Sequence, residues 1–210
     1  MRAHSLRLAA IALVIGLTAS VACSGSDSMF GSGDGRVQVL LTDAPSDIIA
    51  EAHVTFSRVY LQSSDDDGAS IDLMPPEATP LTFDLLQLRD GIQEQLANSK
   101  TPAGGYDQLR LVVDEAYVTL HKGYSFEDGS TTDTLFVPSG MQSGIKVHLA
   151  APIEPKDGML TIVVVDFDVD DNFKIQGDPN VVNGIRGIRF TPSVHEIHRD
   201  EVPDPEPTPL

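Results

Sequence analysis

Residues 36–198 alternate short apolar-rich runs with clusters of Gly, Pro, Asp and Ser, a pattern of strands joined by turns. The first run, 36–42 (RVQVLLT), is β-branched and predicts a strand, stopped by turn residues at 43–47 (DAPSD). Residues 52–62 (AHVTFSRVYLQ) put Val54, Phe56 and Tyr60 on one face and Thr55 and Ser57 on the other. Val59 and Leu61 blur that period. An acidic turn at 65–68 (DDDG) leads to a short strand at 70–74. Leu81, Phe83 and Leu85 are in phase for another strand. Asp84 or Asp90 then caps a predicted short helix through Asn98, because Leu88, Ile92 and Leu96 recur every four residues, with Gly91 weakening it. Residues 106–120 (YDQLRLVVDEAYVTL) form the longest strand-like run, and Asp114-Glu115 marks a bulge or bend within it.

Further strands are predicted at 132–137 and 145–149, the first closed by the turn 138–140 (PSG). The segment 159–169 (MLTIVVVDFDV) places Val163, Val165, Phe167 and Val169 on one face. Val164, Asp166, Asp168 and Asp170 fall on the other. Residues 172–187 read as a long loop or loose hairpin. The last strand is 188–197, with Pro192 arguing for an edge or a bulge. These elements predict an all-β chain, specifically an antiparallel β-sandwich with one short helix. Residues 200–210, acidic and Pro-rich, are expected to be a disordered tail.

A different pattern precedes the strands. Arg2 and Arg7 flank a start without acids, and residues 8–19 are mostly apolar. As a helix that run would span roughly 18 Å against the ~30 Å of a bilayer core, which suits a signal peptide rather than a membrane span. It ends in small residues, 19–22 (ASVA), directly before Cys23, the one cysteine of the chain. Residues 1–22 are therefore read as a lipoprotein signal and 23–35 as a lipid-anchored Gly/Ser-rich linker, leaving 36–199 as the β domain. The small residues before Cys23 resemble a bacterial lipobox, with Ser20 where Leu is commonest. The resemblance implies acylation at Cys23, and Ser24 after it leans towards the outer membrane in a Gram-negative cell. The other reading is an ordinary secretory signal that leaves a lone thiol.

The domain carries no obvious catalytic set. Losing residues 1–22 takes the formal charge from −17 to −19, since Arg2 and Arg7 go and no acid does. Such a chain repels phosphate backbones, which disfavours nucleic-acid partners. Trp is absent, which weakens a carbohydrate-platform reading.

Five phrases occur in order: VLLTDAP (39–45), TFDLL (82–86), PAGGYDQLRLVVDEAYV (102–118), VPSGMQSGIKV (137–147) and VVDFDV (164–169). The series resembles the secreted-protein family called domain of unknown function 4382, over roughly residues 36–198. That resemblance implies an Ig-like or transthyretin-like sandwich, often on a lipoprotein, and no known reaction or ligand.

Asp166, Asp168, Asp170 and Asp171 look superficially like a calcium loop. An EF-hand needs Gly at its sixth position and Glu at its twelfth, where this chain has Asp171 and Gly177. A looser calcium site remains open, built from Asp43, Asp166, Asp168 and Asp170. The alternative is a face that is solvated or paired with Arg58, Arg110, Arg186 or Arg189. His195 and His198, three apart on a strand, are expected to face opposite sides and not to chelate together. Ser143 lies in GMQSG rather than G-x-S-x-G and has no evident base. The reading that fits is a lipid-anchored, non-enzymatic envelope domain binding a protein or glycan, with no cofactor beyond the candidate calcium. An envelope hydrolase using a carboxylate pair, or a structural spacer or assembly subunit, are the alternatives.

Overall fold

The computed structural model describes residues 33–63, 70–75, 80–137 and 143–205. The signal-like segment, Cys23, most of the linker, the turns at 65–68 and 138–140, and residues 206–210 lie outside the described residues. Gly31–Leu210 forms one compact unit.

Within it the chain is all-β. The strands are β1 (Gly35–Thr42), β2 (Ile49–Gln62), β3 (Ser70–Asp72), β4 (Leu81–Asp84), β5 (Glu94–Thr101) and β6 (Gln108–Leu120). They continue with β7 (Thr132–Thr134), β8 (Ile145–His148), β9 (Met159–Asp166), β10 (Phe173–Gly177), β11 (Ile185–Phe190) and β12 (Val194–Pro203). A single helical turn, α1 (Val169–Asn172), and a 3-10 turn at Leu85–Gln87 complete the described elements.

Ten strands share one sheet in the order β3-β2-β6-β8-β12-β9-β1-β5, with β4 on β2 and β7 on β6. β10 and β11 form a separate ribbon. The sheet is mixed rather than wholly antiparallel: β1 runs parallel to β9, and β12 parallel to β8. β8 is the narrow link between two halves, joined to β6 through two residue pairs and to β12 through two. The halves curl over a common core. Phe56 of β2 meets Phe167, just beyond β9, with ring centroids 6.0 Å apart, although three strands separate β2 from β9 along the sheet. Phe173 and Phe190, both buried, close the same aromatic cluster at 5.0 Å from one another.

The long pair β2–β6 explains its own blurred period. On β2, Ala52, Val54 and Phe56 are buried, and then Val59 and Leu61. On β6, Leu109, Leu111 and Val113 are buried, and then Ala116, Val118 and Leu120. The register skips Asp114 on β6 and Ser57 on β2. One unmatched bulge would turn every later side chain to the other face. Two opposed bulges keep both strands facing the core, and Ser57 Oγ donates to Asp114 Oδ1 at 2.6 Å between them.

Four expectations are corrected. The helix through Asn98 does not form; residues 94–101 are β5, paired antiparallel with β1. Asp90 and Gly91, at φ 60° and 83°, make a turn instead, and Ile92 is 53% exposed rather than on a buried helical face. Pairing satisfies the β1 edge, which outweighs a marginal helix. Asp84 does cap, but only the 3-10 turn, accepting from the Leu86 N–H. The run 159–169 stops being a strand at Asp166, and the predicted last strand is broken at Thr191–Ser193 into β11 and β12. Finally, residues 200–203 are rungs of β12: Val202 pairs with Leu160 and Pro203 with Met159, and Arg36 Nε donates to Asp204 at 3.0 Å.

Candidate functional site

The parallel pairing of β1 with β9 brings their carboxyl ends together, with Thr42 opposite Asp166. The Phe167 N–H donates to Thr42 O at 3.2 Å, extending the ladder one step past β9. Phe167 then buries its ring in the aromatic cluster, and Asp168 breaks the strand at φ 38°, an unusual conformation for a non-glycine residue. One turn of helix follows. The Asp168 side chain caps it, accepting from the Asp171 N–H at 3.1 Å. Asp43, next after β1, reaches the same turn: its Oδ1 accepts from the Val169 N–H at 2.9 Å.

The floor of this junction is held by two polar residues that sequence reasoning did not single out. The Thr42 hydroxyl lies 2.9 Å from both Leu88 O and Ile92 O, which fixes the 88–92 segment against β1. Asn172 is fully buried. Its amide nitrogen faces the carbonyls of Phe167, Asp168 and Ser193, while its oxygen accepts from the Ser193 N–H. It thereby staples the loop after β9 to the break between β11 and β12. The signal that could have found it is an Asn between acids and a buried Phe, directly after a hydrophobic strand.

Asp43 is 7% exposed, and its Oδ2 is buried without a hydrogen-bond partner. Burial pushes its carboxyl up to about 7. The Ala44 and Val169 N–H groups oppose that rise, and repulsion from Asp166 and Asp168 adds to it. Asp166 is also raised, chiefly by burial, with Asp168 and Asp171 repelling it and the Asp168 N–H and His195 opposing the shift. Of the four sequence-predicted ligands, Asp166 and Asp168 lie within electrostatic reach of Asp43. Asp170 does not join them. It is exposed on α1, because the strand whose alternation placed it beside the others ends four residues earlier. Among the described residues, no three His, Cys, Asp or Glu side chains stand close enough to form a ready-made metal cage.

None of the four arginines offered as partners pairs with these acids. Arg58 binds Asp72 and lies over the Tyr60 ring, and Arg110 donates to Gln108 and to the carbonyls of Ser143 and Gly144. Arg189 sits opposite Lys174 on the β10–β11 ribbon, and Arg186 lines a separate groove. Lys174, instead, pairs with Asp171 at 3.1 Å.

His195 lies opposite Asp166 on β12, and its ring stacks on His148 of β8 at 4.6 Å. A bulge at Ile197 resets the alternation, so His195 and His198 face Asp166 and Val164 and share one side of β12. The expectation that they face apart is corrected. Ser193 Oγ, on a half-buried residue, lies 3.1 Å from Nε2 of the exposed His195. Away from these acids, a groove of about 310 Å³ is lined by Phe126, Glu127, Asp128, Ser130, Thr132, Asp133 and Arg186.

The described residues define an all-β domain built on a mixed sheet, with carboxylates gathered where two parallel strands end. A family profile described as Domain of unknown function (DUF4382) matches residues 34–183, and the chain belongs to that family. No curated protein and no solved structure matches the chain. The matched region contains Asp43, Asp166, Asp168 and Asn172 but stops before β11. The fold continues beyond it, since β12 occupies a central place between β8 and β9.

Proposed function

We propose that this protein is an exported lipoprotein, anchored through Cys23, whose β domain binds a partner at the cell envelope without catalysing a reaction. In a Gram-negative cell the outer membrane is its place. The observation that carries this reading is the one cysteine of the chain, at the small-residue end of an apolar run and ten residues before the described domain begins. Each buried acyl methylene contributes about 0.8 kcal/mol, so two or more chains hold such a domain on a membrane. We read the curled sheet as a sandwich variant, with β3-β2-β6 facing β12-β9-β1-β5 and β8 bridging them.

The groove beside Arg186 is where we place partner binding. Its volume lies at the small end of ligand sites, and three carboxylates line it against one guanidinium, a net negative lining that favours a basic segment of a protein. A glycan is less suited, because Phe126, the aromatic residue of the lining, is buried rather than offering a face.

Cells expressing the full chain and fed radiolabelled palmitate should yield a labelled, membrane-bound protein, and Cys23→Ala should be unlabelled and released. An unlabelled wild type overturns the anchor. For the groove, a tri-lysine peptide should shift the amide resonances of Ser130, Thr132 and Asp133 in a salt-sensitive manner, and no shift there removes the groove from the proposal.

A further inference from the structure

The groove beside Arg186 holds both signs of charge, and they do not cancel one another. Glu127, Asp128 and Asp133 line it together with Arg186. Among the described residues, no hydrogen bond or ion pair reaches the Arg186 guanidinium or the carboxylates of Glu127 and Asp133. Asp128 spends one oxygen on its own turn, Oδ1 accepting from the Ser130 N–H at 2.8 Å. The frame around these groups is tied together. The Glu127 N–H donates to Ile185 O at 2.9 Å, and Ser125 Oγ donates to Asn183 Oδ1 at 2.6 Å, which joins the β6–β7 connection to the β10–β11 ribbon. On β11 the pairing register passes from Ile185 to Gly187 and skips Arg186. A bulge of this kind re-aims one side chain, and here that side chain lines the groove.

We propose that the groove binds the C-terminal end of a basic protein segment, its terminal carboxylate on Arg186 and its lysine ammonium groups on Glu127, Asp128 and Asp133. The inference rests on the reading of this groove as a partner site and adds which end of the partner enters it. An internal basic stretch satisfies the acids but sets further cations against an unpaired guanidinium. A chain end with two lysines carries two side-chain ammonium groups and one carboxylate, so both signs find partners. A guanidinium accepts that carboxylate on two parallel N–H donors, a match that fixes orientation as well as charge. The Thr132 hydroxyl, in the same lining, is a further donor for it. At about 310 Å³ the groove suits one chain end better than a folded surface.

The test uses the full chain in detergent with two probes, tri-lysine bearing a free C-terminal carboxylate and tri-lysine amide. Titrations followed by the amide resonances of Ser130, Thr132 and Asp133 should show the free acid binding about tenfold tighter. Simple attraction to the net negative lining gives the opposite order, because the amide carries the larger positive charge. Arg186→Gln should reverse the preference. Asp133→Asn should weaken both peptides and keep their order. Free lysine should bind at least about tenfold more weakly than the free-acid peptide, since it reaches fewer of the acids. Equal affinities, or tighter binding of the amide, would overturn the inference and leave the groove as a partner site. A preference that survives in Arg186→Gln would overturn it as well, and free lysine binding as tightly as the peptide would replace the chain end by a free amino acid. Binding of neither peptide would remove the groove itself, and the inference with it.

Discussion

Two buried carboxylates of this domain, Glu196 and Asp43, sit at loop junctions, and their surroundings are opposite. The Glu196 side chain is 4% exposed and fully matched. Its Oε1 accepts from Arg199 Nε at 2.7 Å. Its Oε2 accepts from Arg199 Nη2 at 2.8 Å and from the Ala150 N–H at 2.9 Å. Arg199 goes on to donate to the carbonyls of Pro152 and Ala151. Asp43 has backbone N–H donors on one side, two further acids nearby and one oxygen with nothing. The first is a finished clamp between β12 and the 150–152 loop. The second is a buried carboxyl with one unmatched oxygen, which burial holds in its neutral form up to about pH 7.

The largest expected effect falls on the clamp. Arg199→Ala strips a nearly buried carboxylate of its guanidinium partner and leaves the Ala151 and Pro152 carbonyls to water. That should cost about 3–5 kcal/mol, read as a fall in the urea midpoint. A loss below about 1 kcal/mol would mean that the pair behaves like an exposed surface bridge, and the contrast with Asp43 would collapse.

At Asp43 the sign reverses. Its carboxyl is raised from 3.8 to about 7 in the fold, so between those values the folded state holds a proton that the unfolded state has lost. The contribution of the neutral acid is complete below pH 3.8 and is lost as pH rises to about 7. At 1.36 kcal/mol per pH unit the loss is on the order of 4 kcal/mol. Asp43→Asn carries a permanently neutral side chain. It should match the wild type near pH 4 and exceed its stability by that order above pH 7. Denaturant curves of the two proteins across this range check it, and parallel curves would show that Asp43 stays ionised and solvated.

Much of the fold was legible because its strands bury one face. β1 and β8 follow their alternation, and the residues that blurred β2, Val59 and Leu61, did so because of a real bulge whose partner on β6, Asp114, was visible as an acid pair within an apolar run. What failed depended on pairing far along the chain. A leucine spacing of four at Leu88, Ile92 and Leu96 lost to the open edge of β1, and residues 200–203 looked like tail until β9 took them as rungs. At the site, the meeting of Asp43 with Asp166 required knowing that β1 and β9 are parallel neighbours, 126 residues apart at the Asp43–Val169 bond. Alternation alone over-extended the strand and swept in Asp170. Thr42 works through the carbonyls of Leu88 and Ile92 and Asn172 also reaches Ser193, and residue spacing carries no trace of those longer links.

Thr42 offers the smallest and sharpest test of how the open side is built. Its hydroxyl serves the Leu88 and Ile92 carbonyls, and Leu88 O also accepts from the Asp43 N–H at 3.2 Å. Thr42→Val keeps the shape and the β-branch while removing the donor, so Leu88 O stays satisfied and only Ile92 O, in a part-exposed segment, is left to water. The expected loss is about 1 kcal/mol, well below that at the clamp. Because the 88–92 segment braces the backbone at Asp43, hydrogen exchange of the Asp43 amide should accelerate in this variant while that of Ala150, held by Glu196, does not change. Faster exchange at both would mean that the two junctions open together, and that the buried acids belong to one cooperative unit rather than to a clamp and a separate site.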